Sequence, residues 1–221
     1  MTRYFVHAVP GSPFARSVMA MLGEKNADWR LAPLAPGQHR AEPHLSRHPL
    51  GKMPALTWDG GVLYETQAIL RYLDDVLPGP GFTPASADER ARMNQGIGLC
   101  DCYLFPEAAG PIVFQRVIGP AVAKLVPDEA VIRAALPRSH VIFAELSRLL
   151  GDRQWFGGDS PSLADLMLGP QLELFRRAPE WTELTAERAN LPAWLDRIEA
   201  RPAMQAVVWE RLPALLASYG S

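Results

Sequence analysis

The sequence predicts two domains, a small α/β domain followed by an all-helical one. Three observations predict this. Strand and helix signals alternate over the first third of the chain, a stretch rich in Pro and Gly follows, and beyond it the strand signals fade while helical stripes continue. The expected division is 1–78 for the α/β domain, 79–87 for a linker and 88–221 for the helical domain.

The elements follow in order. Arg3 to Ala8 is a short β-rich run carrying Tyr4, Phe5 and Val6, and Val9-Pro10-Gly11 is a turn. Ser12-Pro13 reads as an N-cap with Pro at the first helical position. Phe14, Val18, Met21 and Leu22 then mark one face of a helix. Asp28 to Leu34 reads as a second strand, and Glu42 to His48 as a short helical or irregular piece. Met53 to Trp58 and Val62 to Tyr64 read as strands joined by a hairpin turn at Asp59-Gly60-Gly61. Ile69, Tyr72, Leu73 and Val76 give a second helical stripe.

Pro78, Gly79, Pro80, Gly81 and Pro84 mark the linker. Residues 88 to about 126 read as helix interrupted at Pro106 and at Gly110-Pro111. Ile142, Leu146, Leu149 and Leu150 form another stripe, with Pro137 expected to start or kink that helix. Ser162-x-x-Asp165 opens a further helix as a capping-box variant, and Asn190-Leu191-Pro192 and Arg201-Pro202 bracket two short ones.

Composition excludes several classes. The chain has 221 residues, 48% hydrophobic and 21% charged, enough for a packed core. A formal net charge of −2 gives no support for binding nucleic acid or anionic lipid. No apolar run reaches about 18 residues, so no membrane span is expected, and the first residues lack the pattern of a signal peptide. Cys100 and Cys102 lie two apart on a helix and point in different directions. Two partly buried free thiols are therefore expected, with no disulfide and no shared metal, in a cytoplasmic protein.

Four groups of residues could carry chemistry. Ser12 would sit where a strand turns into a helix, at a positive helix end that favours anions. It reads both as a plain cap and as a hydroxyl donor to a bound thiolate. Met53-Pro54 reads as an ordinary trans edge proline on local sequence. A cis bond there would instead turn the Met53 N–H and C=O toward a peptide-like ligand. Glu65-Thr66 reads as a helix start, or as Thr66 binding a carboxylate while Glu65 takes an ammonium group. His39, Arg40 and Lys52 read as surface residues, or together as the neutralising set for a second carboxylate. A ligand with a thiol, a peptide backbone, an amino-acid head and a free carboxylate fits all four functional readings, and glutathione has those parts.

With these residues in place, the chain resembles the cytosolic glutathione S-transferases. The resemblance is closest to Ser-type, phi- and theta-like classes over Gly37 to Leu73. Pro49-Leu50-Gly51-Lys52-Met53-Pro54-Ala55-Leu56 is similar to the segment that holds the family's cis-proline. Tyr64-Glu65-Thr66-Gln67-Ala68-Ile69 is similar to its E-S/T-x-A-I segment, and Gly158-Asp159 through Ser162-Leu163-Ala164-Asp165 to its helical-domain capping box.

The resemblance implies a thioredoxin-like N-terminal domain and an all-α C-terminal domain. It implies glutathione as co-substrate, no metal, detoxification of hydrophobic electrophiles and a homodimer. Position by position it implies Ser12 as the catalytic residue, and His39, Arg40, Lys52, Met53, Pro54, Glu65 and Thr66 as glutathione-binding residues. Phe14, Tyr103, Phe105 and Phe114 are expected to hold the electrophile, with Trp209 and Tyr219 as weaker candidates. Tyr4 is expected in the core. The segment Ser12 to Ala15 holds no Cys, which disfavours disulfide-reducing chemistry. A dehalogenase, peroxidase or isomerase specialisation, or a non-catalytic role for the same fold, stays open at this point.

Overall fold

The computed structural model describes residues 2–217. The chain forms two compact units. One comprises Met1–Gly81 with Ala200–Ser221, the other Phe82–Glu199. The sequence reading kept 88–221 together as one helical domain, but the final segment from Ala200 packs with the first unit instead.

The first unit is built on a four-stranded sheet in the order β2-β1-β3-β4. Its strands are β1 (Arg3–Ala8), β2 (Asp28–Pro33), β3 (Ala55–Trp58) and β4 (Gly61–Tyr64). β1 and β2 run parallel, as a crossover helix between them requires. β3 pairs antiparallel with both β1 and β4. Helix α1 (Pro13–Glu24) is that crossover, and α2 (Thr66–Val76) follows β4. Val6, Ala8, Val18, Met21, Leu22, Leu56, Ile69 and Leu73 are fully enclosed, and Tyr4 is core as expected. A buried ion pair, Lys25 Nζ to Asp74 Oδ1 at 2.9 Å, ties the end of α1 to α2.

The final segment is fastened to α1. Arg201 makes two 2.7 Å bonds to the Glu24 carboxylate, and buried Arg16 donates to the Met204 carbonyl at 3.2 Å. Bidentate, partly buried pairs of this kind are the stronger class of ion pair.

The second unit is helical. Its longest feature is one continuous run, Ala87–Ala123, by length and composition able to cross a membrane. The run passes through Pro106 and Gly110-Pro111 where the sequence reading expected breaks. It does so by widening to π-helical turns over Cys100–Ala109 and Phe114–Ile118. A proline clashes with the carbonyl four residues back, and a wider turn relieves that crowding. Each wide stretch closes on a Gly-Pro pair, where Gly110 N–H meets the Phe105 carbonyl and Gly119 N–H the Phe114 carbonyl. A Cβ on Gly110 would stand 2.7 Å from that Phe105 oxygen, so glycine is required there. Met93, Ile97, Cys100, Leu104, Ala108 and Ile112 are the buried stripe of the run, which makes it a core helix of this unit.

The helix Glu129–Leu150 begins at an Asp128 cap, well before Pro137, which lies inside it rather than starting it. The capping box is present. The Asp165 carboxylate, fully buried, accepts from the backbone N–H groups of Phe156 and Ser162, from Ser162 Oγ and from Trp194 Nε1, all within 2.7–2.9 Å. Cys100 is buried and Cys102 exposed, both as free thiols, so only one of the pair sits in the expected enclosed setting.

Candidate active site

Strand register gathers the predicted residues at one end of the sheet. His7 of β1 lies opposite Ala55 of β3, and Ala55 lies opposite Tyr64 of β4. The antiparallel pairing therefore sends three junctions to the same edge. These are the turn after β1 that carries Ser12, the Met53-Pro54 bond that enters β3, and the Glu65-Thr66 step that leaves β4. β2 ends beside β1, with Leu34 N–H bonded to the Ala8 carbonyl at 2.9 Å. Its exit loop carries His39 and Arg40 to that edge as well.

Ser12 caps α1 as the sequence predicts. Its backbone is extended, Pro13 starts the helix, and Oγ accepts the Ala15 N–H at a long 3.4 Å. A hydroxyl that accepts with one lone pair keeps its own proton to donate. Ser12 is half-buried at the positive end of a 12-residue helix, a setting that favours a bound anion. Before it, Gly11 adopts φ +93°, and the Trp209 indole of the final segment packs against it. A Cβ on Gly11 would fall 2.0 Å from the indole. Trp209 therefore braces the Ser12 turn, a placement with no signal in local sequence because 198 residues separate the pair.

The Met53-Pro54 peptide is cis, where local sequence favoured trans. Met53 Sδ accepts the Val9 N–H at 3.3 Å, which fixes this segment to the Ser12 turn. Glu65 has φ +67°, uncommon for a residue with a side chain, and its carboxylate is exposed. Backbone in this region costs roughly 1–3 kcal/mol and clusters at ligand sites. Thr66 is buried as the first residue of α2.

His39 and Arg40 lie on a single turn, Gln38–Arg40, packed against the loop that carries Lys52. A Cβ on Gly51 would be 3.3 Å from the His39 carbonyl. Burial, then the charges of Arg40 and His44, hold the His39 imidazole below its ordinary pKa. At neutral pH His39 thus offers a hydrogen bond, while exposed Arg40 and Lys52 supply the positive charge.

Sequence reasoning missed two residues beneath this cluster. His44 and His48 are almost fully enclosed, and His44 Nε2 lies 2.7 Å from the Lys52 carbonyl. A signal existed, since four of the chain's five histidines, His7, His39, His44 and His48, fall in this small unit.

Phe14 is half-buried just after Ser12. Tyr103, Phe105 and Phe114, in the second unit, are exposed at 40%, 40% and 44%, so none of the three is core. Arg138 stacks 5.4 Å from the Tyr103 ring and pairs with Glu107. Tyr219 lies outside the described residues. Among those residues, no group of three His, Cys, Asp or Glu side chains is arranged to hold a metal.

Comparison with known proteins covers most of the chain. Residues 6–81 match the model for the glutathione S-transferase N-terminal domain and residues 129–197 that for its C-terminal domain. A glutathione S-transferase of Hyoscyamus muticus is 30% identical over 202 residues, 90% of this chain and 94% of its own. Human glutathione S-transferase theta-2B is 32% identical over 173 residues, 77% of this chain and 69% of its own. The crystal structure of glutathione transferase F7 from Populus trichocarpa superposes with a TM-score of 0.81 at 28% identity, covering 92% of this chain and 97% of that one. The chain belongs to the glutathione S-transferase family, among its phi- and theta-like cytosolic members.

Proposed function

We propose that the protein transfers the thiolate of glutathione to hydrophobic electrophiles, with the Ser12 hydroxyl stabilising that thiolate. One observation carries this reading. The sheet register brings a helix-capping hydroxyl, the Met53-Pro54 backbone, the Glu65-Thr66 helix start and the cations Arg40 and Lys52 to one edge. These match the thiol, peptide and two charged ends of glutathione. Glu65 takes the ammonium group, Thr66 the adjacent carboxylate, Met53 the cysteinyl backbone, and His39, Arg40 and Lys52 the glycyl carboxylate.

The chemistry follows from acidity. A free thiol has a pKa of about 8.5, and only the thiolate attacks. A hydrogen bond from Ser12 and the positive end of α1 both favour the anion, so the thiol proton is released to solvent. The sulfur then forms the new bond to carbon and a leaving group departs, or an unsaturated carbon is later protonated. One charge-assisted hydrogen bond is worth about 1.5–3 kcal/mol, the size needed to lower the thiol pKa by one to two units.

Phe14 in the first unit, and separately the exposed aromatics Tyr103, Phe105 and Phe114 in the second, are the residues proposed to contact an apolar electrophile. A cytoplasmic homodimer acting in detoxification completes the proposal, and sedimentation would test the dimer. The decisive experiment is the ultraviolet thiolate absorbance of bound glutathione against pH. Wild type should titrate well below 8.5 and Ser12→Ala should titrate higher. An unchanged titration in the mutant would remove Ser12 from this role.

A further inference from the structure

His48 sits directly behind the residue assigned to the ammonium group of glutathione. Its side chain is almost fully enclosed, yet Nε2 lies 4.0 Å from the exposed Glu65 carboxylate. The ring packs 4.7 Å from Tyr64, on the strand that ends at Glu65, and 6.3 Å from His44. Its Nδ1 is buried with no hydrogen-bond partner, as is that of His44. The loop holds the ring in place, because the His48 N–H bonds the His44 carbonyl at 2.9 Å and its carbonyl accepts the Gly51 N–H at 2.9 Å.

We propose that His48 is a positioning residue for the γ-glutamyl end of glutathione. Neutral, it leaves the Glu65 carboxylate to the ligand's ammonium group. Protonated, it takes that carboxylate as its own partner and competes with the ligand. The inference rests on the assignment of Glu65 to the ammonium group.

The groups facing His48 set when the switch occurs. Glu65 favours the protonated ring, while His44 and Lys52 oppose it. His44 also bears on His7 and His39, and Arg47 on His7, so these belong to the same basic cluster. Burial is the largest influence and, against Glu65, keeps the ring below its ordinary pKa. His48 is therefore neutral at pH 7 and takes up its proton on acidification. At 4.0 Å the pair is poised rather than formed, and a proton on Nε2 would supply the missing attraction.

The test uses S-methylglutathione, which has no thiol and no group titrating between about pH 5 and 8. Calorimetry would compare its Kd at about pH 7.5 and about pH 5.5. Wild type should bind about fivefold more weakly at the lower pH, the size expected of a partly exposed ion pair. His48→Gln should lose that dependence, changing by less than about twofold. A purely structural role would weaken binding equally at both pH values. Full acid weakening in His48→Gln, or none in wild type, overturns the proposal. Should His48→Gln fail to fold, Glu65→Gln tests the same pair, since without the carboxylate the acid weakening must vanish. If Glu65→Gln instead binds like wild type at both pH values, the Glu65 assignment fails and this proposal with it. Absence of wild-type binding at any pH would overturn the glutathione reading itself.

Discussion

The two units of this protein hold their key residues by different means. In the first, the candidate site lies on turns that leave the sheet at one edge, with Gly11 and Glu65 in left-handed backbone and Glu65 exposed. In the second, the Asp165 side chain is enclosed and accepts four hydrogen bonds, with Ser162 and Trp194 as its side-chain partners. One unit keeps polar groups open to a ligand and the other satisfies them internally. Mutations should therefore separate activity from stability according to the unit they strike.

The largest effect is expected at Asp165. Asp165→Ala would leave four buried donors unpaired, each costing about 1–3 kcal/mol before relaxation, so a loss of roughly 3–5 kcal/mol is expected. Chemical denaturation would show it, and a loss below about 1 kcal/mol would contradict this view of the helical unit.

Ser12→Ala should do the opposite. A lost charge-assisted bond of 1.5–3 kcal/mol corresponds to roughly a 10- to 200-fold fall in kcat/KM. Its weak 3.4 Å cap predicts a stability cost near the low end of about 0.5–2 kcal/mol. Steady-state kinetics beside thermal melting would separate the two, and an equal loss in both would erase the contrast between the units.

Two glycines of one helical run give a smaller, internal contrast. A Cβ on Gly110 meets the Phe105 carbonyl, whereas one on Gly98 meets nothing within 4 Å. Gly110→Ala should destabilise by about 1–3 kcal/mol, while Gly98→Ala should stabilise by about 0.5–1 kcal/mol. Paired melting curves would decide, and like-signed shifts would contradict the account of the wide turns.

A further effect concerns pH. Burial, then Arg47 and His44, lower the His7 pKa from its ordinary 6.5 to about 4. Between these values the unfolded chain binds a proton that the folded chain refuses. Stability should thus be complete above pH 6.5 and fall as pH drops toward 4. His7→Gln should flatten that decline in a series of melts, and an unaltered slope would assign it to other groups.

Much of the fold was legible where its signals are local. Ser12-Pro13, Asp59-Gly60-Gly61 and Ser162-x-x-Asp165 each encode backbone geometry within a few residues, and the structure shows the corresponding cap, hairpin and capping box. What escaped was non-local or depended on compensation. Pro106 reads as a break by steric rule, yet a wider turn absorbs it. His44 and His48 look like ordinary loop residues until burial places one under Lys52 and the other behind Glu65. The exposed aromatics of the second unit were expected from resemblance, since no short motif marks a surface chosen for shape and apolarity.

The contact between Gly11 and Trp209 has a consequence for biosynthesis. The strands of the sheet unit leave the ribosome before the helical unit, but the bracing segment is made after it. During translation the Ser12 turn therefore waits for its support until the helical unit has been made. A chain stalled after Glu199 would carry every glutathione-facing residue proposed above and still lack the indole that steadies the turn between Val9 and Ser12.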